Sequence, residues 1–260
     1  MLIAVNKSDG RQKAAAAWLQ KNGFSVISAG TSAQADVLMV QMPFCPSIEE
    51  LECLVSSLKA GGLVLAGMPS ESASEWIFRH GYYLQDYARC EDFVMLNAVP
   101  TAEACLNIMM TLRKKTIWKS KILIAGFGRI AKLVARHCKE LGAEVTVAAR
   151  SAAQRAEAEA WGCDAIPLQQ LEQAVRVAEV IVNTAPALVF SQKILKQVSE
   201  QCLLIDLASS PGGFDFEAAE RLGLQLEWAR GLPPKHTPDT AGEILGKTIK
   251  QILLERGEFA

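Results

Sequence analysis

The sequence predicts an α/β protein built from two parallel-sheet domains. Short apolar runs alternate with longer helical stretches along the chain, which is the pattern of βαβ units whose sheet is covered on both faces. Near the middle, an apolar run leads directly into the glycine turn GFGRIA (126–131), which opens a helix. We therefore expect a small flavodoxin-like α/β domain at the N-terminus, followed by a Rossmann dinucleotide-binding domain.

The first hundred residues contain four predicted strands and two predicted helices. Each strand is a short apolar run, and each helix is a longer stretch with apolar residues at helical spacing. The predicted strands lie at residues 2–5, 24–28, 36–40 and 63–66, and the predicted helices lie at 11–21 and 48–59.

A long helix is predicted at 100–118, because Pro100 and Thr101 supply start signals and a rough apolar stripe follows them. A second α/β series comes after it. Its predicted strands lie at residues 121–125, 144–149, 164–166, 180–183, 202–207 and 225–227. Its predicted helices lie at residues 129–141, 152–160, 168–175, 192–198 and 216–222.

A last helix, at about 240–255, follows the proline-rich segment GLPPKHTP (231–238), which we expect to form a turn. We expect this helix to pack back on the first domain. The predicted domains are a substrate domain at 1–100, a Rossmann domain at 101–238 that starts with the linking helix, and the C-terminal helix at 239–260. The simplest arrangement is two domains with a cleft between them.

Composition excludes several classes of protein. The chain has 260 residues, of which half are hydrophobic, and 27 basic residues balance 28 acidic ones, so it can bury a core and is not a disordered protein. There is no overall basic excess for nucleic acid or an anionic membrane. We expect no secretory signal, because the first residues lack a basic segment followed by a long apolar run, and no apolar run reaches membrane-spanning length. The seven scattered cysteines include no C-x-x-C pair, so we predict buried thiols and no metal site.

The glycine turn predicts dinucleotide binding. Gly126 permits the tight turn, Gly128 lets the backbone approach a pyrophosphate, and the helix N-terminus offers free N–H groups to phosphate. Phe127, Arg129 and Ile130 complete the turn as candidate cofactor-binding residues, although Arg129 can equally face solvent. The alternative is a tight βα turn in a fold that has lost its ligand.

The end of the next strand favours NADP over NAD. NAD enzymes usually carry a carboxylate there for the ribose hydroxyl, but this strand ends in Arg150 and Ser151. Arg150 can pair with a 2′-phosphate, Ser151 can donate a hydrogen bond to it, and Arg155 can assist from the following helix. The alternative is that Arg150 is a solvated charge at the strand end.

Two further strand ends are candidate cofactor contacts, because ligands bind at the carboxyl ends of parallel strands. One loop begins Asn183-Thr184-Ala185-Pro186, and the other begins Asp206-Leu207-Ala208. The same residue types also suit ordinary turns without a ligand. Asp206 follows a buried strand, so its carboxylate is a candidate for proton transfer or for orienting a loop.

Several segments together resemble a known family. They are SDGRQ (8–12), LNAVPTAE (96–103), GFGRIA (126–131), AARS (148–151), NTAP (183–186), DLASSPGGFDF (206–216) and GLPPKHTPDTAGEIL (231–245). This chain resembles the family of dipicolinate synthase A subunits, and more widely the two-domain NAD(P) dehydrogenases that include the 2-hydroxyacid group. The resemblance implies a cytoplasmic oxidoreductase of sporulating bacteria that makes pyridine-2,6-dicarboxylate from a dihydropyridine-type precursor with NADP. It also implies a flavoprotein-like B subunit of the synthase as partner, and we expect a homo-oligomer.

A dicarboxylate substrate needs cationic and polar partners. Lys7 and Arg11 are expected on the loop after the first strand, facing the cleft. Thr240 and Ala241 are expected to bring helix N–H groups near a carboxylate, unless this is a plain helix start after Pro238.

The start of the linking helix supplies further candidate substrate residues. Asn97, Thr101 and Glu103 flank this predicted start. Capping by Thr101, with Glu103 in the first turn, is an equal alternative to substrate contact.

For proton transfer, the candidates are His236 and Asp206. His236 lies in the proline-rich segment and can titrate near neutral pH, but aromatisation does not demand a dedicated base. Three functions remain open: dipicolinate synthesis, dehydrogenation of a 2-hydroxy or imino acid, and a non-catalytic NADP-binding subunit.

Overall fold

Two parallel sheets organise the chain, as the alternation of strands and helices predicts. The computed structural model describes residues 1–257. It divides into two units, one formed by Met1–Pro100 with the segment from Pro233 onward, and the other by Thr101–Leu232. The predicted α/β fold class is confirmed.

The first unit is built around a five-stranded parallel sheet with the order β2-β1-β3-β4-β5, which is the flavodoxin-like order. Its strands are β1 (Leu2–Val5), β2 (Ser25–Ser28), β3 (Ala35–Met39), β4 (Leu58–Ala66) and β5 (Tyr83–Asp86). Its first three helices are α1 (Gly10–Lys21), α2 (Ile48–Val55) and α3 (Glu71–Arg79), and the long helix α4 (Glu91–Leu112) begins in this unit.

The second unit contains a six-stranded parallel sheet with the order β11-β10-β9-β6-β7-β8, which is the Rossmann order. Its strands are β6 (Lys121–Ala125), β7 (Glu144–Ala148), β8 (Asp164–Ile166), β9 (Val180–Asn183), β10 (Leu203–Asp206) and β11 (Gln225–Trp228). Its helices are α5 (Arg129–Glu140), α6 (Ala152–Ala160), α7 (Leu171–Ala174), α8 (Gln192–Leu195) and α9 (Phe216–Arg221).

The chain then returns to the first unit through a short helix, α10 (Leu232–His236), and a long one, α11 (Pro238–Glu255). Helix α11 packs on α1 at very short range. A Cβ on Gly242 would lie 2.3 Å from the Cβ of Ala14, and one on Gly246 would lie 2.6 Å from the ring of Trp18. The predicted packing of the last helix on the first domain is therefore confirmed, and two glycines permit it.

Helices cover both faces of each sheet, so alternate strand residues enter different cores. In the first unit, Ile3 and Val5 pack with α1 and α11, whereas Ala4 packs with α2 and α3. In the second unit, Ile124 packs with α4 and α5, and Leu123 packs with α7, α8 and α9. This double covering explains why central strands such as β1, β9 and β10 are runs of apolar residues.

Several local predictions differ from the structure. The linking helix α4 begins at Glu91 and ends at Leu112, so Pro100 lies inside it and does not start it. The real start signals are Glu91 and Asp92 in the first turn, where carboxylates favour the helix dipole. The proline-rich segment forms helix α10 instead of a turn, and α3 and β5 were not predicted.

Helix α4 is also long and apolar enough, by length and composition, to cross a membrane, and within residues 1–257 it alone meets that test. Half of its most apolar window is buried inside the structure. That burial is the arrangement of a core helix.

The seven cysteines are all free thiols, and only part of the predicted burial holds. Cys105, Cys138, Cys163 and Cys202 are buried, but Cys45 and Cys53 are exposed. Burial raises the pKa of the Cys138 and Cys202 thiols to about 12 in each case, so both stay protonated and behave as small apolar side chains.

Candidate functional site

The two glycines of the turn between β6 and α5 differ in backbone conformation and in the space around them. Gly126 has φ +90°, and a Cβ there would lie 2.6 Å from the Oγ1 of Thr184. Gly128 caps the N-terminus of α5 with φ −88°, and a Cβ there would meet no atom within 4 Å. Gly126 is therefore required by the backbone turn, whereas Gly128 leaves open space at a helix N-terminus, which is where a phosphate group fits.

The other residues of the turn differ in what they can offer a ligand. Phe127 is 1% exposed and packs edge-to-face on Trp161 with ring centroids 5.9 Å apart, so only its backbone is available. Arg129 is exposed and Ile130 is half-buried. These predicted cofactor residues stay predictions, with Phe127 limited to its main chain.

Two arginines lie near the end of β7: Arg150 is exposed to solvent, and Arg155 bonds to the backbone that carries it. Arg150 is exposed, and Ser151 is the N-cap of α6. Arg155 donates from Nη1 to the carbonyl oxygens of Ala149 and Arg150, at 2.9 and 2.8 Å. Arg155 therefore fixes the backbone that carries Arg150, and the charge available to an anion is that of Arg150.

A buried hydrogen-bond network joins the loops after β9 and β10. Asp206 and Asn183 are both fully buried, and the Nδ2 of Asn183 donates to the Oδ1 of Asp206 at 2.7 Å. The same carboxylate accepts from the backbone N–H of Ala208 at 3.0 Å and from that of Gly213 at 2.7 Å. Three donors hold an acceptor-only group, which favours loop orientation over proton transfer as the role of Asp206.

Close packing around this network explains the glycine pair in DLASSPGGFDF. A Cβ on Gly212 would lie 2.8 Å from the Oδ2 of Asp206, and one on Gly213 would lie 2.2 Å from the Nδ2 of Asn183. Gly212 also has φ +85°, which favours glycine. From the neighbouring strand β11, the indole Nε1 of Trp228 donates to the carbonyl oxygen of Ala208 at 3.1 Å.

The remaining residues of these two loops are placed at the same edge of the sheet. Thr184 donates from Oγ1 to the carbonyl oxygen of Ala125 at 2.9 Å, which ties the loop to the base of the glycine turn. Ala185 donates its N–H to the Oδ1 of Asn183 and accepts from its Nδ2. Pro186 is exposed and Leu207 is half-buried. The structure thus brings the predicted loops together.

In the first unit, Lys7 is exposed on the loop after β1, as expected. The placement of Arg11 on that loop is wrong, because helix α1 begins at Gly10 and Arg11 lies in its first turn. Arg11 is 1% exposed and donates from Nη2 to the carbonyl oxygen of Met42 at 3.1 Å. Its Nε is buried without a hydrogen-bond partner within the described chain.

The predicted position of three residues at the start of the linking helix is also wrong, and so is the alternative that Thr101 caps it. Asn97, Thr101 and Glu103 lie inside α4, so they do not flank its start. Thr101 is buried, Asn97 is half-buried and Glu103 is exposed, so the three do not share one environment. Helical geometry, and not a cap, accounts for their positions.

The predicted residues of the C-terminal segment lie in two helices. His236 is exposed at the end of α10. Thr240 and Ala241 lie in the first turns of α11, with Thr240 exposed and Ala241 fully buried. The N–H of Ala241 already donates to the carbonyl oxygen of Thr237 at 3.0 Å, so the expectation that Ala241 offers a free helix N–H group to a carboxylate is wrong.

Sequence reasoning missed a pair of amide side chains at the carboxyl edge of the first sheet. The Nδ2 of Asn6 donates to the Oε1 of Gln41 at 2.9 Å, and both residues are half-buried. Each follows an apolar run directly, after β1 and after β3. A polar residue at the end of two neighbouring strands was the available signal.

Comparison with known proteins adds three findings. Residues 98–209 match the family model described as the D-isomer specific 2-hydroxyacid dehydrogenase NAD binding domain. The chain is 34% identical over 165 residues to the dipicolinate synthase A subunit of Bacillus subtilis, covering 64% of this chain and 56% of that protein. The match therefore spans little more than half of the relative's length.

Two crystal structures of dipicolinate synthase A subunits have the same fold. The one from Bacillus subtilis superposes with a TM-score of 0.87 at 24% identity, over 100% of this chain and 98% of that one. The one from Bacillus halodurans gives 0.84 at 24% identity, over 97% and 96%. The resemblance to the dipicolinate synthase A subunit is confirmed.

The glycine turn and the Asp206 network are the best-defined features of the candidate site.

The Asp206 network predicts a large stability effect. Asp206→Asn replaces one acceptor oxygen with an NH2 group that faces existing N–H donors, so at least one buried donor loses its partner. We expect the free energy of unfolding to fall by about 2–4 kcal/mol, measured by urea denaturation followed by circular dichroism. Asp164→Asn, at an exposed position on β8, is the control and should change little; equal stabilities of the two variants would contradict the role given to Asp206.

Proposed function

We propose that the protein is an oxidoreductase that oxidises a dihydrodipicolinate-type precursor to pyridine-2,6-dicarboxylate, with NADP as hydride acceptor. The observation that carries the proposal is the second unit, a Rossmann sheet with open space at Gly128 and an exposed Arg150 at the end of the next strand. The likeness to the A subunit of dipicolinate synthase supports the choice of substrate.

The residues around the glycine turn suit a dinucleotide. The backbone at Gly128 and the N-terminus of α5 would hold the pyrophosphate, because a Cβ at Gly128 would meet no atom within 4 Å, and Gly126 would supply the turn that places them. Arg150 and Ser151 would bind a 2′-phosphate, with Arg155 as a positioning residue. When bound, NADP supplies the nicotinamide ring that accepts a hydride.

Substrate recognition is assigned to polar groups of the first unit. Lys7 and Arg11 supply positive charge for the carboxylates, and the first turn of α11 at Thr240 supplies backbone N–H groups. Asn97, Thr101 and Glu103 are weaker candidates because they lie within α4.

Oxidation of a dihydropyridine removes a hydride from a ring carbon and a proton from carbon or nitrogen. His236 is exposed and is our candidate for the proton acceptor. Asp206, with three donors on its carboxylate, is a positioning residue for the loops after β9 and β10. Aromatic stability of the product lowers the demand on the base.

The partners follow from the same likeness. Because the similar Bacillus protein is one subunit of a synthase, this chain is expected to work with another, and we propose a flavoprotein-like B subunit. We also propose a homo-oligomer in the cytoplasm of a sporulating cell, without nucleic-acid or membrane partners.

A second candidate is an NADP-dependent dehydrogenase of a 2-hydroxy or imino acid. The match of residues 98–209 to the 2-hydroxyacid dehydrogenase NAD binding domain favours it. Both candidates use the same cofactor site, so the substrate distinguishes them.

The deciding experiment is a spectrophotometric assay of the purified chain. It uses 4-hydroxytetrahydrodipicolinate, which gives the dihydropyridine by loss of water, with NADP or NAD, each with and without the flavoprotein-like partner. Reduced cofactor and dipicolinate absorbance are followed together. We expect both signals to rise in parallel, faster with NADP. Reactions lacking the oxidised cofactor control for spontaneous aromatisation, and a panel of 2-hydroxy and imino acids tests the second candidate. Absence of both signals with the partner present would sink the leading proposal.

Cofactor preference is predicted to depend on Arg150. Arg150→Asp should weaken NADP binding by about 10- to 100-fold, because a carboxylate replaces the partner of the 2′-phosphate. NAD binding should change little. The fluorescent reduced forms NADPH and NADH, which differ by the same 2′-phosphate, are titrated to measure the two affinities. Arg176→Asp, at another exposed arginine of the second unit, is the control. An unchanged ratio of the two affinities would show that the 2′-phosphate is not bound by Arg150.

The two glycines of the turn should separate stability from ligand binding. Gly128→Ala should lower the unfolding free energy by less than about 1 kcal/mol, since its φ is ordinary and its Cβ meets nothing. It should nevertheless weaken NADP binding by about tenfold or more. Gly126→Ala should cost about 2 kcal/mol or more of stability, because of its positive φ and the contact with Thr184. Full NADP affinity in a folded Gly128→Ala protein would argue against a pyrophosphate at this turn.

A further inference from the structure

The carboxyl edge of the first sheet contains a second candidate binding position, independent of the Rossmann unit. Strand β1 pairs with β2 on one side and with β3 on the other. The connection after β1 therefore runs to one side of the sheet, and the connection after β3 runs to the other side. In open parallel sheets, ligands bind in the crevice at such a switch point. Asn6 follows β1 and Gln41 follows β3, and their side chains form the amide pair through one hydrogen bond.

Two buried side chains donate hydrogen bonds to the carbonyl group of Val40, the residue before Gln41. The carbonyl oxygen of Val40 accepts from the Nε2 of Gln12 at 3.0 Å and from the hydroxyl of Tyr87 at 3.1 Å. Gln12 and Tyr87 are both fully buried. Burial raises the pKa of Tyr87 far above its ordinary value, so its hydroxyl remains a donor.

The next two carbonyl groups are held as well. The carbonyl oxygen of Gln41 accepts from the N–H of Gly67 at 3.3 Å, and that of Met42 accepts from the Nη2 of Arg11 at 3.1 Å. Gly67 has no room for a side chain, because a Cβ would lie 2.5 Å from the Cβ of Met42. Three consecutive carbonyls are therefore fixed, and the side chain of Gln41 projects from a rigid segment.

The amide pair has hydrogen-bonding groups to spare. Outside their mutual bond, Gln41 keeps an NH2 group, and Asn6 keeps one N–H and its carbonyl oxygen. In the described chain these groups form no further hydrogen bond. Three N–H donors are thus free at this edge beside free amide oxygens, and the neighbouring segment carries the Arg11 guanidinium with an unpartnered Nε and Gln12 with an unpartnered Oε1.

Arg11 has one carboxylate within ion-pair distance in the described chain, and that carboxylate makes no hydrogen bond to the guanidinium. Asp9, half-buried, is the nearest carboxylate, with its Oδ2 3.9 Å from the Nη2 of Arg11, which is longer than a hydrogen bond. The Oδ1 of Asp9 instead accepts from the N–H of Gln12 as the cap of α1. Planar amide donors beside a guanidinium match the geometry of a carboxylate.

We propose that Asn6 and Gln41 form a carboxylate-binding site at the edge of the first sheet, next to the positive charge of Arg11, and that Gln12 and Tyr87 are positioning residues that fix Gln41. The site would bind one carboxylate of a small dicarboxylic acid through neutral N–H donors. This inference deepens the proposed function and rests on it for the identity of the acid.

The test uses the full chain labelled with 15N and the stable probe pyridine-2,6-dicarboxylate, with pyridine-2-carboxylate for comparison. Side-chain NH2 resonances of Asn6 and Gln41 should shift on titration, and the dicarboxylate should bind more tightly. Gln41→Met, which removes the amide at similar length, should weaken binding of the dicarboxylate by about tenfold. Gln20→Met, at an exposed position on α1, is the matched control and should bind as the unaltered chain does.

Tyr87→Phe tests the positioning role, since it removes one donor from the Val40 carbonyl without touching the amide pair. We expect the Gln41 NH2 resonances to move before any probe is added, and probe binding to weaken about three- to tenfold. NADP affinity should be unchanged. Unmoved Gln41 resonances with full probe affinity would remove Tyr87 from the proposal.

The outcomes separate this inference from the proposed function. If the protein binds NADP and turns over the precursor, but Gln41→Met binds the probe normally, the site is wrong and the function stands. If the probe shifts both amide resonances and no oxidation occurs with the flavoprotein-like partner present, the site stands and the function fails. A protein that binds NADP but shows no amide shift with either probe contradicts the site.

Discussion

The buried carboxylate of Asp206 is the interaction on which the functional edge of the second unit depends. Removing an ionised group from water is costly unless hydrogen bonds replace the lost hydration. Here an amide side chain and two backbone N–H groups do so, and they come from three separate positions along the chain. A single charge thus fixes the loops after β9 and β10 relative to each other, and the glycine pair at 212 and 213 is the steric condition for it.

The first unit also fixes a segment after a strand with buried hydrogen bonds, but the donor and acceptor groups are exchanged. There, donors on side chains hold carbonyl oxygens of the segment after β3, whereas in the second unit backbone N–H groups hold a side-chain carboxylate. In both cases irregular backbone at the carboxyl end of a strand is fixed by buried partners. Rigid loops of this kind present a ligand with groups that are already in place, so less entropy is lost on binding.

Much of the fold could be predicted because it depends on local pattern. The strand bounds of β1, β6 and β9 follow from apolar runs, and the glycine turn follows from its spacing between a strand and a helix. Pro100 was misleading, because a proline that suits a helix start also occurs within a helix where packing compensates. The site was less accessible. Tyr87 and Val40 are 47 positions apart, and no local pattern indicates that one donates to the other.

The close contact of α11 with α1 has a consequence for how the chain acquires its structure. The core beneath the first sheet contains Leu245, Ile249 and Leu253 from α11 together with Leu19 from α1. During synthesis, the first unit is therefore left with an open apolar face while the whole Rossmann unit is being made. The Rossmann unit is continuous in sequence and can complete its core first. The N-terminal part of this protein is accordingly the last to mature, and the interval before α11 arrives is when it is most exposed to aggregation.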